Sequence, residues 1–135
     1  MMNKIEHIGI AVNSIKDSNE VYAALLGTSH YKMEEVLSEG VKTSFFKTGE
    51  NKIELLEATT ENSPIAKFLE KKGEGIHHIA FAVDDIEVEM ERLKKEGFRL
   101  LNEMPKKGAD NKLVAFVHPK SANGVLVELC QEIKN

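Results

Sequence analysis

Cysteine is nearly absent. Cys130 is the only one, which excludes an internal disulfide and fits a reducing compartment. No apolar stretch approaches the roughly 18 residues that a membrane-spanning helix needs. Met1-Met2-Asn3-Lys4-Ile5-Glu6-His7 has no apolar core of the signal-peptide kind. The expected location is the cytosol, with no membrane partner. Basic blocks are missing too. With a net charge of −4, a long polyanion would meet weak repulsion, so no nucleic-acid partner is expected. What is present is an ordinary soluble composition, 41% apolar and 30% charged, in 135 residues. That length suits one domain, or two small halves sharing a core.

The chain repeats itself. Ile5-Glu6-His7-Ile8-Gly9-Ile10-Ala11-Val12-Asn13-Ser14-Ile15 laid over Ile76-His77-His78-Ile79-Ala80-Phe81-Ala82-Val83-Asp84-Asp85-Ile86, 71 residues later, matches at six of eleven positions. His7 falls on His78. In the first copy Ile8, Ile10 and Val12 alternate onto one strand face, and His7, Gly9 and Ala11 onto the other. In the second, His78, Ala80 and Ala82 share a face. Each imidazole is therefore followed on its own face only by very small side chains.

Read in order, Ser14 or Asp17 caps a helix carrying Val21, Tyr22, Leu25 and Leu26, stopped by Gly27. Strands are expected over Tyr31–Leu37, Val41–Lys47 and Lys52–Ala58, with a turn at Thr48-Gly49-Glu50-Asn51. Glu54, Leu56 and Ala58 share one face of the last strand, and Ile53, Leu55 and Glu57 the other. Ser63-Pro64 opens a short helix with Ile65, Phe68 and Leu69 as its apolar stripe. After Gly73-Glu74-Gly75 the pattern restarts. A strand over Ile76–Val83 precedes a helix capped by Asp84 or Asp85, with Ile86, Met90 and Leu93 buried. Its charged run Glu87–Glu96 reads as the wet side. Strands follow over Phe98–Leu101, Lys112–Val117 and Val125–Cys130, with a loop at His118–Gly124. Both halves read β-α-β-β-β. Glu54 falls on Glu128 at an offset of 74, because the second half has loops three residues longer in total. The expected organisation is a single domain over 1–135: module one at 4–59, a linker helix at 63–73 and module two at 75–132.

His7, Glu54, His78 and Glu128 are four ligand-type residues placed symmetrically by the repeat. Two imidazoles and two carboxylates suit a divalent first-row ion such as Co, Ni, Mn, Fe or Zn. The small neighbours leave room for the open coordination positions that a catalytic metal needs. The alternative is a satisfied core histidine and a solvent-facing strand glutamate in each half. If all four point inward, that alternative buries two carboxylates without a cation, which is costly. His77 alternates away from His78 and reads as structural or exposed. His30 and His118 read as solvated loop residues. Cys130 shares the Glu128 face and reads as packing. Glu57 lies on the wrong face to join the ligands.

These stretches, with Ser63-Pro64-Ile65-Ala66-Lys67-Phe68-Leu69, His118-Pro119-Lys120 and Gly124-Val125-Leu126-Val127-Glu128-Leu129, resemble the vicinal oxygen chelate superfamily over nearly the whole chain. Within it they are similar to the methylmalonyl-CoA epimerases. The resemblance implies an α+β fold: two paired βαβββ modules forming one open, curved, barrel-like mixed sheet around a metal site. It implies metal-dependent interconversion of (2R)- and (2S)-methylmalonyl-CoA by proton transfer at C2 through a metal-stabilised enolate. It also implies a small-molecule acyl-CoA substrate and a homodimer. His7, Glu54, His78 and Glu128 become metal ligands, and Glu128 also an acid/base residue. Some members are proposed to place a second glutamate on the second strand of the first half. That position is Thr43 here, so Glu54 is the candidate for the second base. Lys106 and Lys120 are candidates for coenzyme A contacts by charge and loop position. Two rival readings share the scaffold. Glyoxalase I (lactoylglutathione lyase) shares the ligand set but not the linker helix or the His-Pro-Lys loop, and a metal-free binding protein would have lost ligands.

Overall fold

A computed structural model describes residues 1–134. Module one is built from β1 (Met2–Ala11), α1 (Ile15–Leu26), β2 (Lys32–Val36), β3 (Val41–Thr48) and β4 (Asn51–Ala58). A linker helix, α2 (Pro64–Lys72), leads to β5 (Gly75–Val83), α3 (Ile86–Lys95), β6 (Lys106–Lys107), β7 (Lys112–Val117) and β8 (Val127–Glu132). Both halves thus follow β-α-β-β-β in an α+β chain. Strand order is β2-β3-β4-β1 in the first half and β5-β8-β7-β6 in the second. Within each run the first and last strands pair in parallel, β1 with β4 and β5 with β8, and the remaining pairs are antiparallel. No helix among the described residues is long and apolar enough to cross a membrane.

The chain forms two compact units, His7–His77 in one, and Met1–Glu6 with the chain from His78 on in the other. In the first unit α1 covers one sheet face, packing Tyr22, Ala23 and Leu26 on Val12, Ile15, Phe46 and Leu55. Helix α2 covers part of the other, setting Ile65, Phe68 and Leu69 against Ala11, Val41 and Leu56. In the second unit α3 buries Ile86, Met90 and Leu93 against Val83, Ala115, Val117 and Leu129.

The helix starts follow the sequence closely. Ser14 Oγ accepts from Asp17 N–H, Ser63 Oγ from Ile65 N–H with Pro64 in the first turn, and Asp85 Oδ1 from Val88 N–H. Each satisfies a backbone donor that has no partner within its helix. Gly27 closes α1 in the left-handed conformation with φ 74°.

Several expectations are corrected. On α1 the apolar stripe is Tyr22, Ala23 and Leu26, while Val21 and Leu25 are exposed. The Phe98–Leu101 segment is not a strand. It keeps one antiparallel bridge, Leu100 with Val117, and Asn102 Oδ1 takes the Phe116 N–H that a ladder partner would otherwise accept. The two-residue strand Lys106–Lys107 pairs with β7 instead. The last strand starts at Val127 and not Val125, because the 3-10 turn Pro119–Ala122 and the backbone bond from Val125 N–H to Ala122 extend the loop. The charged run on α3 is not wholly wet. Glu89 is buried at 1% exposure, its carboxylate held by Arg92 at 2.9 and 3.0 Å and by the Met1 ammonium at 3.0 Å.

Candidate active site

In the first unit, β1 lies parallel to β4 with His7 opposite Lys52 and Gly9 opposite Glu54. Glu54 follows Lys52 by two residues, so it points to the same sheet face as His7. Their side chains meet, His7 Nε2 to Glu54 Oε1 at 3.1 Å, and both are buried. Gly9 puts no side chain beside the carboxylate. On the other flank of Glu54, directly opposite on β3, is the buried Phe45.

The second unit repeats the arrangement. His78 on β5 and Glu128 on β8 are both buried, with Nε2 to Oε1 at 3.1 Å. Ala80 lies opposite Glu128 on one side and Phe116 on the other. The Phe116 ring meets His78 edge-on, with centroids 6.1 Å apart. Each pair therefore has a small residue on one side and a phenylalanine on the other.

A carboxylate buried to this degree needs a hydrogen bond or a cation. Each glutamate has an imidazole, and each pair presents one nitrogen and one oxygen 3.1 Å apart. Two donors about 2.1 Å from a divalent ion, at about 90° to one another, lie about 3 Å apart. The spacing within each pair thus suits two neighbouring ligands of such an ion, and the nitrogen–carboxylate chemistry suits a first-row metal.

The remaining candidates take structural positions. Thr43 is on the Glu54 face and fully buried, its hydroxyl donating to the Glu34 carbonyl at 3.2 Å, so this position offers no carboxylate. Glu57 turns to the opposite face, where its carboxylate accepts the Ile15 N–H at 2.6 Å at the start of α1. In the second module Gln131 Oε1 accepts the Ile86 N–H of α3 at 2.8 Å. His77 packs edge-on against Phe68, with centroids 5.0 Å apart. His30 is half-buried against Phe46, not solvated as expected. His118 Nδ1 caps the 3-10 turn by accepting the Lys120 N–H. Cys130 is buried, its thiol 3.5 Å from the Phe81 carbonyl. Lys106 and Lys120 are exposed.

Phe45 and Phe116 are the site neighbours that sequence reasoning missed. Their signal was available: they are 71 residues apart, the same offset as the two histidines. The three extra residues of the second module therefore lie between Phe116 and Glu128, where the His118–Gly124 loop replaces the tight turn at Gly49.

Residues 6–116 match the family model of the Glyoxalase/Bleomycin resistance protein/Dioxygenase superfamily. The chain belongs to this superfamily. The chain is also similar to proteins of named activity. The ethylmalonyl-CoA/methylmalonyl-CoA epimerase of Cereibacter sphaeroides is 42% identical over 133 residues, spanning 97% of this chain and 99% of that protein. The crystal structure of methylmalonyl-CoA epimerase from Mycobacterium tuberculosis superposes with a TM-score of 0.94 at 33% identity, covering 98% of this chain and 90% of that one. A variant of the Streptomyces coelicolor methylmalonyl-CoA epimerase, in complex with 2-nitronate-propionyl-CoA, gives 0.93 at 33% identity over 99% and 100% of the two chains.

Proposed function

We propose that the protein is a metal-dependent epimerase that interconverts (2R)- and (2S)-methylmalonyl-CoA by moving the proton on C2. The similarity to named epimerases along almost the full chain supports the substrate. The observation that carries the chemistry is the buried His/Glu pair, duplicated with the same 3.1 Å spacing in both modules.

In this reading His7, Glu54, His78 and Glu128 together hold one divalent ion, with Co, Ni, Mn, Fe and Zn all compatible with the donors. The chemistry such an ion supplies is electrophilic: it offsets the negative charge that loss of the C2 proton places on the thioester oxygen. Inversion requires a proton to leave one face of C2 and arrive on the other, hence two acid/base groups. Glu128 and Glu54 are assigned these roles. Burial beside phenylalanine keeps both carboxylates out of bulk water, which strengthens their action on a nearby carbon acid. Gly9 and Ala80 place no bulky side chain beside the two carboxylates. Lys106 and Lys120 are the candidates for coenzyme A contacts. One domain over 1–135, a homodimer and a cytosolic location complete the proposal.

The test is solvent-proton exchange. Incubated in deuterium oxide with a divalent metal, the protein is expected to replace the C2 proton of (2S)-methylmalonyl-CoA and to yield the (2R) form. Metal-loaded protein that leaves C2 unexchanged, yet forms thioester from the glutathione hemithioacetal of methylglyoxal, would replace this reading with the lyase.

A further inference from the structure

The two His/Glu pairs are chemically alike, whereas a malonyl thioester has unlike ends, one a thioester carbonyl and the other a permanent anion. Something outside the pairs must tell those ends apart. The first module carries such a feature. Gly9, Glu54, Phe45 and Lys32 form one continuous cross-strand row over β1, β4, β3 and β2. Directly opposed residues on antiparallel strands share a face, so Lys32 rises from the same face as Glu54, two strands away. At a strand spacing of about 4.8 Å the two backbones are about 10 Å apart, within the combined reach of a lysine side chain and a small carboxylate.

The lysine is held in place. Its Nζ stands 5.0 Å from the centroid of Phe45, a cation over the face of a ring that is itself 1% exposed. Glu34, two residues along β2, holds the same ammonium at 3.8 Å, and the two side chains are 37% and 35% exposed. That is a wet, weak ion pair, one in which the ammonium can exchange a protein carboxylate for a ligand's. The second module differs at the matching place. Phe116, the counterpart of Phe45, has Leu101 donating to its carbonyl and the neutral amide of Asn102 accepting its N–H. The pseudo-symmetry of the donors is broken by a cation beside one phenylalanine and an amide beside the other.

We propose that Lys32 is a specificity-determining residue that binds the free carboxylate of the acyl group, so that this end of the substrate lies over Phe45. The inference rests on the epimerase reading. Lys32 leaves Glu34, pairs with the incoming carboxylate while its stem stays on the Phe45 ring, and thereby fixes which end of the malonyl unit approaches the His7–Glu54 pair. Acyl groups without the carboxylate gain nothing from it.

The experiment measures binding of malonyl-CoA, propionyl-CoA and free coenzyme A by calorimetry to metal-loaded wild type, Lys32→Met and Lys32→Arg. Methionine keeps an apolar stem on Phe45 and removes the charge. The expected result for Lys32→Met is a loss of about tenfold or more for malonyl-CoA, the scale of one charge-assisted hydrogen bond, with the other two ligands within about twofold of wild type. Lys32→Arg is expected to restore most of the affinity, and the turnover of methylmalonyl-CoA by Lys32→Met to fall mainly through KM. Equal affinity of wild type and Lys32→Met for malonyl-CoA overturns the assignment, as does an equal loss for all three ligands. Both outcomes leave the epimerase reading standing. Wild-type protein that shows no preference for malonyl- over propionyl-CoA and no C2 exchange overturns that reading, and this assignment with it.

Discussion

Glu89 and Glu54 are both buried carboxylates, and they differ in their partners. Glu89 faces a guanidinium that donates two hydrogen bonds and an ammonium at 3.0 Å. The Arg92 hydrogen bonds, aided by the Met1 ammonium and opposed by burial, lower its pKa from 4.5 to about 2. A folded-state pKa below the unfolded one gives stability that is full above about pH 4.5 and is lost as the pH falls through about 2. Acid titration of the unfolding transition is therefore expected to show a decline over that window, and Arg92→Met to make that decline smaller and to complete it at higher pH. An unchanged acid profile in Arg92→Met would count against the pair. Glu54 meets an imidazole at 3.1 Å, a partner that can ligate a metal. Glu54→Gln keeps shape and hydrogen bonding but not basicity, and is expected to slow C2 exchange by about 100-fold or more. Unaltered exchange with metal retained would remove Glu54 from the base role. The pairing of Glu54 with His7 was legible in the repeat. The burial of Glu89 was not, since a glutamate on a charged helix declares its partner only once the chain has folded.

Among the elements, the parallel strand pairs β1–β4 and β5–β8 set the two His/Glu spacings, and the helix that follows the first strand of each module is tied back to the last. Glu57 and Gln131 come three residues after Glu54 and Glu128, on the opposite face, and each accepts the first N–H of its module's helix. Because glutamine already does this in module two, Glu57→Gln is expected to change unfolding free energy by less than about 0.5 kcal/mol. Glu57→Ala leaves the donor unmet and is expected to cost about 1 kcal/mol, as loss of a helix N-cap does. Denaturant unfolding measures both, and equal stability of the two variants would refute the tie. Element types and order were readable from hydrophobic period and caps. The one misplaced strand, Phe98–Leu101, failed for a local reason: the Asn102 side chain takes a backbone donor of β7, which no propensity discloses.

For the whole molecule, the decisive quantity is metal stoichiometry. One ion shared by His7, Glu54, His78 and Glu128 predicts one metal per chain by elemental analysis. It also predicts that either His7→Ala or His78→Ala abolishes the rise in Tm on adding cobalt. Binding that stabilises only the native state contributes about 2.7 kcal/mol at a free ion concentration of 100 times Kd, a shift readily seen in a thermal scan. Two metals per chain, or a shift that survives either substitution, would assign each pair its own ion. The sequence by itself determined the duplicated β-α-β-β-β order, the helix caps, the strand faces on which His7, Glu54, His78 and Glu128 lie and the lack of a carboxylate at position 43. Those features depend on periods of 2 and 3.6 residues and on bonds spanning only a few positions. Tertiary structure alone decided that Glu89 is buried and that Lys32 stands in the row of Glu54. Each of these depends on which residues of separate strands and helices come to lie side by side, an outcome that hydrophobic pattern and turn geometry fix only once the elements are assembled.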